Sequence, residues 1–127
     1  MNLDHVNIRV QNLQKMCWFY QDVLGLKVGY RPPFPGSPGA WLYDSAGNPV
    51  VHLSTSSTQS DQTSHSVGHI AFRASELATV VDRLKSNGIE FQIEEIPELG
   101  LIQMFFTDPE GGRVEVASAG QLLDLEE

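Results

Sequence analysis

The chain has 127 residues, 41% of them apolar, which is enough for one globular unit with a moderate core. Sixteen acidic against eight basic residues give a net charge of −8, and the basic residues are scattered, which argues against a nucleic-acid partner. No apolar run approaches the ~20 residues that span a bilayer, the opening MNLDHVNIRV has no signal-peptide pattern, and Cys17 is the single cysteine, so a cytoplasmic protein without a membrane partner or a disulfide is expected.

Leu3–Val10 alternates as a strand, with Leu3, His5, Asn7 and Arg9 on one face and Asp4, Val6, Ile8 and Val10 on the other. Asn12 is placed to cap a helix whose stripe is Leu13, Met16, Cys17, Tyr20 and Leu24, and Gly25 ends it. Trp18 and Phe19 fall off that stripe and are expected to face a second chain or another part of the fold. Strands are expected at Leu26–Arg31, Ala40–Asp44 and Asn48–Ser54, the last two joined by a Ser-Ala-Gly hairpin signal.

The pattern then restarts. Ser66–Arg73 reads as a strand, with Ser75 as the cap of a second helix on Leu77, Val80, Val81 and Leu84, stopped at Gly88. Strands follow at Ile89–Glu95, Leu101–Thr107 and Arg113–Ala117, with Asp-Pro-Glu-Gly-Gly as the last turn. The expected fold is therefore α+β: one domain over residues 1–127, made of two βαβββ modules, 1–54 and 66–119. A polar linker over 55–65 joins them.

The repeat carries chemistry. His69 follows His5 by 64 residues (69 − 5), and Glu115 follows His52 by 63 (115 − 52). Each of the four sits opposite the apolar face of its strand: His5 against Val6 and Ile8, His52 against Val51 and Leu53, His69 against Ile70 and Phe72, Glu115 against Val114 and Val116. If those faces curve into a cup, three imidazoles and one carboxylate converge, the donor set of a borderline divalent metal. A lone strand histidine is usually only a satisfied polar residue; four ligand-type residues at matched positions are harder to explain that way. Glu115, flanked by two valines, needs a partner or a metal.

Other residues have two readings each. Arg9 and Arg73 share faces with His5 and His69, and either hold an anionic substrate group or reach solvent at the rim. Trp41 and Phe34, around RPPFPGSPGAW, form either an apolar substrate wall or ordinary core. Cys17 reads as packing, and His65 as a polar linker residue.

The opening DHVNIRVQNLQKMCWFYQDVLGLKV, the restart GHIAFR and the closing FFTDPEGGRVEV resemble the vicinal oxygen chelate superfamily, which includes glyoxalase I, fosfomycin-resistance enzymes, extradiol dioxygenases and bleomycin-resistance proteins. The resemblance covers almost the whole chain. It implies paired βαβββ modules in a curved mixed sheet, completed across a homodimer, with one divalent metal per site (Ni, Co, Zn, Mn or Fe(II)) and a small-molecule substrate with adjacent oxygens. It implies His5, His52, His69 and Glu115 as ligands, with Glu115 also moving the proton in a glyoxalase-like lyase or isomerase reaction. His5, His69 and Glu115 also match the triad of Fe(II) extradiol dioxygenases, the runner-up activity; a non-catalytic, ligand-sequestering protein is the third reading. Compared with glyoxalase I, His52 stands where glutamate is usual, and HLSTSS lacks the asparagine that helps hold glutathione.

Overall fold

The computed structural model describes residues 3–33, 38–55 and 69–122. The chain divides between residues 64 and 65 into two units, each a βαβββ module. The first has β1 (Val6–Val10), α1 (Leu13–Trp18), β2 (Lys27–Gly29), β3 (Gly39–Tyr43) and β4 (Pro49–Thr55). The second has β5 (Ile70–Arg73), α2 (Leu77–Ser86), β6 (Gln92–Ile96), β7 (Leu101–Thr107) and β8 (Arg113–Ala119). Their sheets run β1-β4-β3-β2 and β5-β8-β7-β6, with β1–β4 and β5–β8 parallel and the remaining pairs antiparallel. Among the described residues no helix is long and apolar enough to cross a membrane.

Asn12 caps α1 as the sequence implies, its Oδ1 accepting from the Lys15 N–H at 3.0 Å. The helix then widens into a π-turn over Phe19–Val23. The buried row is Met16, Phe19, Tyr20 and Val23 at i, i+3, i+4 and i+7, so Phe19 is core and not an outward-facing residue. The expectation weighted Leu13, Cys17 and Leu24, which are only half-buried and rotate the apparent stripe by one row. Phe19 meets Tyr20 edge to face at 5.3 Å. Burial also pushes the Cys17 thiol pKa up, which suits a packing role. In the second unit Glu76, not Ser75, is the N-cap, and its side chain makes no cap bond. Leu77, Val80 and Leu84 of α2 are buried, as are Ile102, Met104, Phe106, Val114 and Val116 of the sheet.

The duplication extends to the hairpins. Asp44 N–H donates to Asn48 O at 2.9 Å and Asp108 N–H to Gly112 O at 2.8 Å. In each turn the aspartate Oδ1 accepts backbone N–H groups two and four residues on, Ala46 and Asn48 in one, Glu110 and Gly112 in the other. Gly47 and Gly111 supply the positive φ, 87° and 90°. These turns are 64 residues apart (108 − 44), as are His5 and His69, whereas His52 and Glu115 are 63 apart. A β-bulge reconciles the two spacings. In β4, Val51 pairs with Leu42 and Pro49 with Tyr43, leaving Val50 over, while β8 pairs with β7 without a break. The extra residue keeps His52 on the face that Glu115 occupies in the second sheet, because a one-residue slip reverses every side chain.

Candidate metal-ligand pairs

In the first unit His5 lies just before β1 and His52 in the middle of β4. Their rings stack at 3.8 Å with an interplanar angle of 11°. Trp41, directly across from His52 in the β3–β4 ladder, stacks on that ring's other neighbourhood at 4.1 Å and 13°. His5 Nδ1 contacts Asp4 Oδ2 at 2.7 Å, and His52 Nε2 contacts Pro49 O at 3.1 Å. An ionised carboxylate and a carbonyl only accept, so these contacts assign the ring proton of His5 to Nδ1 and that of His52 to Nε2. In the neutral rings the lone pairs, which a metal needs, then lie on Nε2 of His5 and Nδ1 of His52. The carboxylate behind His5 is the usual support of a ligating imidazole. Burial, then the nearby His5, pulls the pKa of His52 down and keeps its ring neutral near pH 7.

In the second unit His69 Nε2 stands 3.2 Å from Glu115 Oε1. Two donors bound at about 2.1 Å to one ion, 90–109° apart, lie roughly 3.0–3.4 Å from each other. The pair therefore has the span of a chelate, and without a metal the same contact is an ion pair whenever His69 is protonated. Glu115 is 8% exposed, and its other oxygen, Oε2, accepts from Gln103 Nε2 at 3.0 Å. Phe105, across from Glu115 in the β7–β8 ladder, meets His69 edge-on at 6.5 Å, with the Arg113 guanidinium 4.6 Å from its ring centroid.

The donor set fits a divalent ion. Among the described residues, however, no three His, Cys, Asp or Glu side chains gather; the four ligand positions come as two pairs, one in each unit. The pairs also differ. His69 and Glu115 present two donors at chelating distance, whereas the parallel rings of His5 and His52 present lone pairs that do not converge. Trp41 packs on His52 itself, Arg9 and Arg73 are exposed, and Phe34 lies outside the described residues. Sequence reasoning did not find Asp4 or Gln103. The signal for Gln103 was strand alternation, which places it two residues before Phe105 on the Glu115 face.

A sequence profile of the Glyoxalase/Bleomycin resistance protein/Dioxygenase superfamily matches residues 2–116. A protein named Glyoxylase I 4 from Arabidopsis thaliana is 27% identical, over 95% of this chain and 72% of its own. Lactoylglutathione lyase from Neisseria meningitidis serogroup B is 29% identical, over 91% of this chain and 88% of its own. A glyoxylase/bleomycin resistance protein/dioxygenase domain from Frankia sp. EAN1pec superposes with a TM-score of 0.75 at 20% identity, covering 96% of this chain and 94% of that one.

Proposed function

We propose that this chain, which belongs to the Glyoxalase/Bleomycin resistance protein/Dioxygenase superfamily, is a divalent-metal-dependent enzyme of glyoxalase-like lyase or isomerase type. Its substrate would be a small molecule with two adjacent oxygens. The observation that carries this reading is the His69–Glu115 pair, set at the span of a chelate and held from behind by Gln103. His5 and His52 are the proposed further ligands, in keeping with the 64- and 63-residue spacings; their stacked rings would have to part for Nε2 of one and Nδ1 of the other to reach one ion. The ion, Ni, Co, Zn, Mn or Fe(II), supplies Lewis acidity toward the two substrate oxygens.

The protein's own share of the chemistry falls to Glu115. Released from the ion, its Oε1 would take a proton from the carbon next to a substrate carbonyl and return it to the neighbouring carbon. Gln103 keeps the carboxylate aimed during the transfer, and the burial of Glu115, across the ladder from Phe105, limits competition from water. Trp41 and Phe34 are candidate walls and Arg9 a candidate contact for an anionic group. Two copies of the chain, with α1 or β1 at their contact, form the functional homodimer.

Fe(II)-dependent extradiol-type dioxygenation is the second reading, in which His5, His69 and Glu115 serve as a two-histidine, one-carboxylate triad and His52 stays stacked against Trp41. A ligand-sequestering protein is the third. Metal analysis of the purified chain, beside an oxygen-uptake screen over diketones, hemithioacetals and catechols, separates them. Oxygen-independent turnover with Ni, Co or Zn supports the lyase, and oxygen consumption with Fe(II) supports the dioxygenase. Stoichiometric ligand binding without turnover supports the binder.

A further inference from the structure

Position 39 is the first-unit equivalent of position 103 (103 − 39 = 64), where the second unit carries the glutamine that holds Glu115. The first unit has glycine there, and the space belongs to Arg31. A Cβ at Gly39 would stand 3.0 Å from Arg31 Nη2 and 3.1 Å from Cζ, and would collide with the Leu53 carbonyl oxygen. The guanidinium thus lies close over the β3 backbone at Gly39, where the Leu53 carbonyl oxygen leaves no room for a Cβ. Gly39 faces Ser54 across the ladder and is two residues from Trp41 on the same side of the strand. Arg31 is half-buried and its charge reaches His52.

We propose that Arg31 determines substrate specificity: its guanidinium, laid across Gly39 on the face that carries Trp41 and His52, takes a carboxylate on the remote end of an oxygen-chelating substrate. The inference rests on the functional reading above. A planar fork matches a carboxylate by two parallel hydrogen bonds, which a lysine ammonium does not. A monoanion suits one guanidinium in a chain of net charge −8 better than a phosphate dianion does. Arg9, the basic residue that the sequence singles out, is exposed, where an ion pair contributes little.

The test uses the full chain loaded with Zn²⁺ and three catechol probes: 4-methylcatechol, 3,4-dihydroxybenzoate and 3,4-dihydroxyphenylacetate. All three offer the same adjacent oxygens, and the last two add a carboxylate at two reaches. Calorimetric Kd values should show at least one carboxylate probe bound roughly tenfold or more tighter than 4-methylcatechol, the worth of a hydrogen bond to a charged group. Arg31→Met should bring that ratio close to one with Zn²⁺ content unchanged, and Arg31→Lys should leave a smaller preference. Metal uptake with no carboxylate preference in the native chain, or a preference that survives Arg31→Met, overturns the proposal and leaves the metal-site reading standing. Absence of Zn²⁺ uptake by the native chain overturns that reading and this proposal with it.

Discussion

Replacing Gln103 with methionine keeps the length of the side chain and removes its one donor to Glu115. The bond is 3.0 Å long and ends on a carboxylate that is 8% exposed, so it belongs to the stronger class, about 1.5–3 kcal/mol for a charged acceptor. Part of that is present whether or not a metal is bound, and its loss appears as reduced stability of the metal-free chain. The remainder is differential. Were Oε1 to hold an ion, Oε2 would stay on Gln103, and without that tether the carboxylate would have to be immobilised by the metal alone. Removing such an outer partner typically lowers metal affinity 10–100-fold, about 1.4–2.8 kcal/mol. Gln103→Met should therefore raise the Kd for Zn²⁺ or Ni²⁺ at least tenfold in a competitive chelator titration, while the thermal transition of the metal-free protein falls only modestly. A Kd within twofold of the native value, in a variant that folds, would refute both the role of Gln103 and the placement of the metal at Glu115.

Four further outcomes are expected. Elemental analysis should find close to one divalent ion per chain; His69→Ala or Glu115→Ala should abolish it, whereas His52→Ala, which removes one ring of the stacked pair whose lone pairs do not converge, should weaken it. Asp108 is buried, and burial raises its pKa above the ordinary 3.8, only partly offset by the backbone N–H groups of Gly112 and Glu110. A raised folded pKa means that its ionisation costs stability as pH climbs from about 3.8 through the folded value. Asp108→Asn, which keeps the Oδ1 acceptor, should then equal or exceed native thermal stability at pH 7 and lose that advantage near pH 3, while Asp108→Ala loses about 1–3 kcal/mol at pH 7 through the unsatisfied N–H groups. Sedimentation at micromolar concentration should give a dimer, and a 14.0 kDa monomer there would contradict the proposed assembly. Methylglyoxal plus glutathione should be turned over poorly with Ni²⁺, Co²⁺ or Zn²⁺, because HLSTSS offers no glutathione-holding asparagine and exposed Arg9 contributes roughly 1 kcal/mol or less; kcat/KM above about 10⁷ M⁻¹s⁻¹ would show a true glyoxalase I.

The repeat, the strand faces and the candidate ligand positions were legible because they depend on periodicity and identity, which a sequence displays directly; that the candidates pair as His5 with His52 and His69 with Glu115 is seen only in the structure. Gly25 and Gly88 as helix stops were readable for the same reason, and both have positive φ. The π-turn was not, since nothing in FYQDV distinguishes it from α-helix until packing fixes Phe19 and Tyr20 together. The Ser75 cap failed because the helix starts one residue later than composition implies. Nothing in the residue types of Gln103 and Arg31 singles them out. Their roles come from ladder register and from a glycine on a neighbouring strand, which one-dimensional spacing does not reveal.

The Val50 bulge bears most directly on how the two halves came to differ. Without it, a strict 64-residue repeat would make Val116 the equivalent of His52 and turn one candidate ligand to the other face of its sheet. With it, positions 52 and 115 are equivalent in the sheets, each across from an aromatic residue, Trp41 or Phe105, that are themselves 64 apart (105 − 41). On that shared frame the halves diverge by a few side chains. The second half surrounds a carboxylate with a hydrogen-bond donor and a facing imidazole. The first surrounds an imidazole with two aromatic faces and lays a guanidinium where the donor would be. A carboxylate needs directed donors to stay aimed, whereas a neutral imidazole at an equivalent position is held well enough by stacking. The asymmetry is in keeping with the proton-moving role proposed for Glu115. It leaves the first half with a guanidinium and an indole beside a neutral imidazole, groups suited to binding rather than to moving a proton.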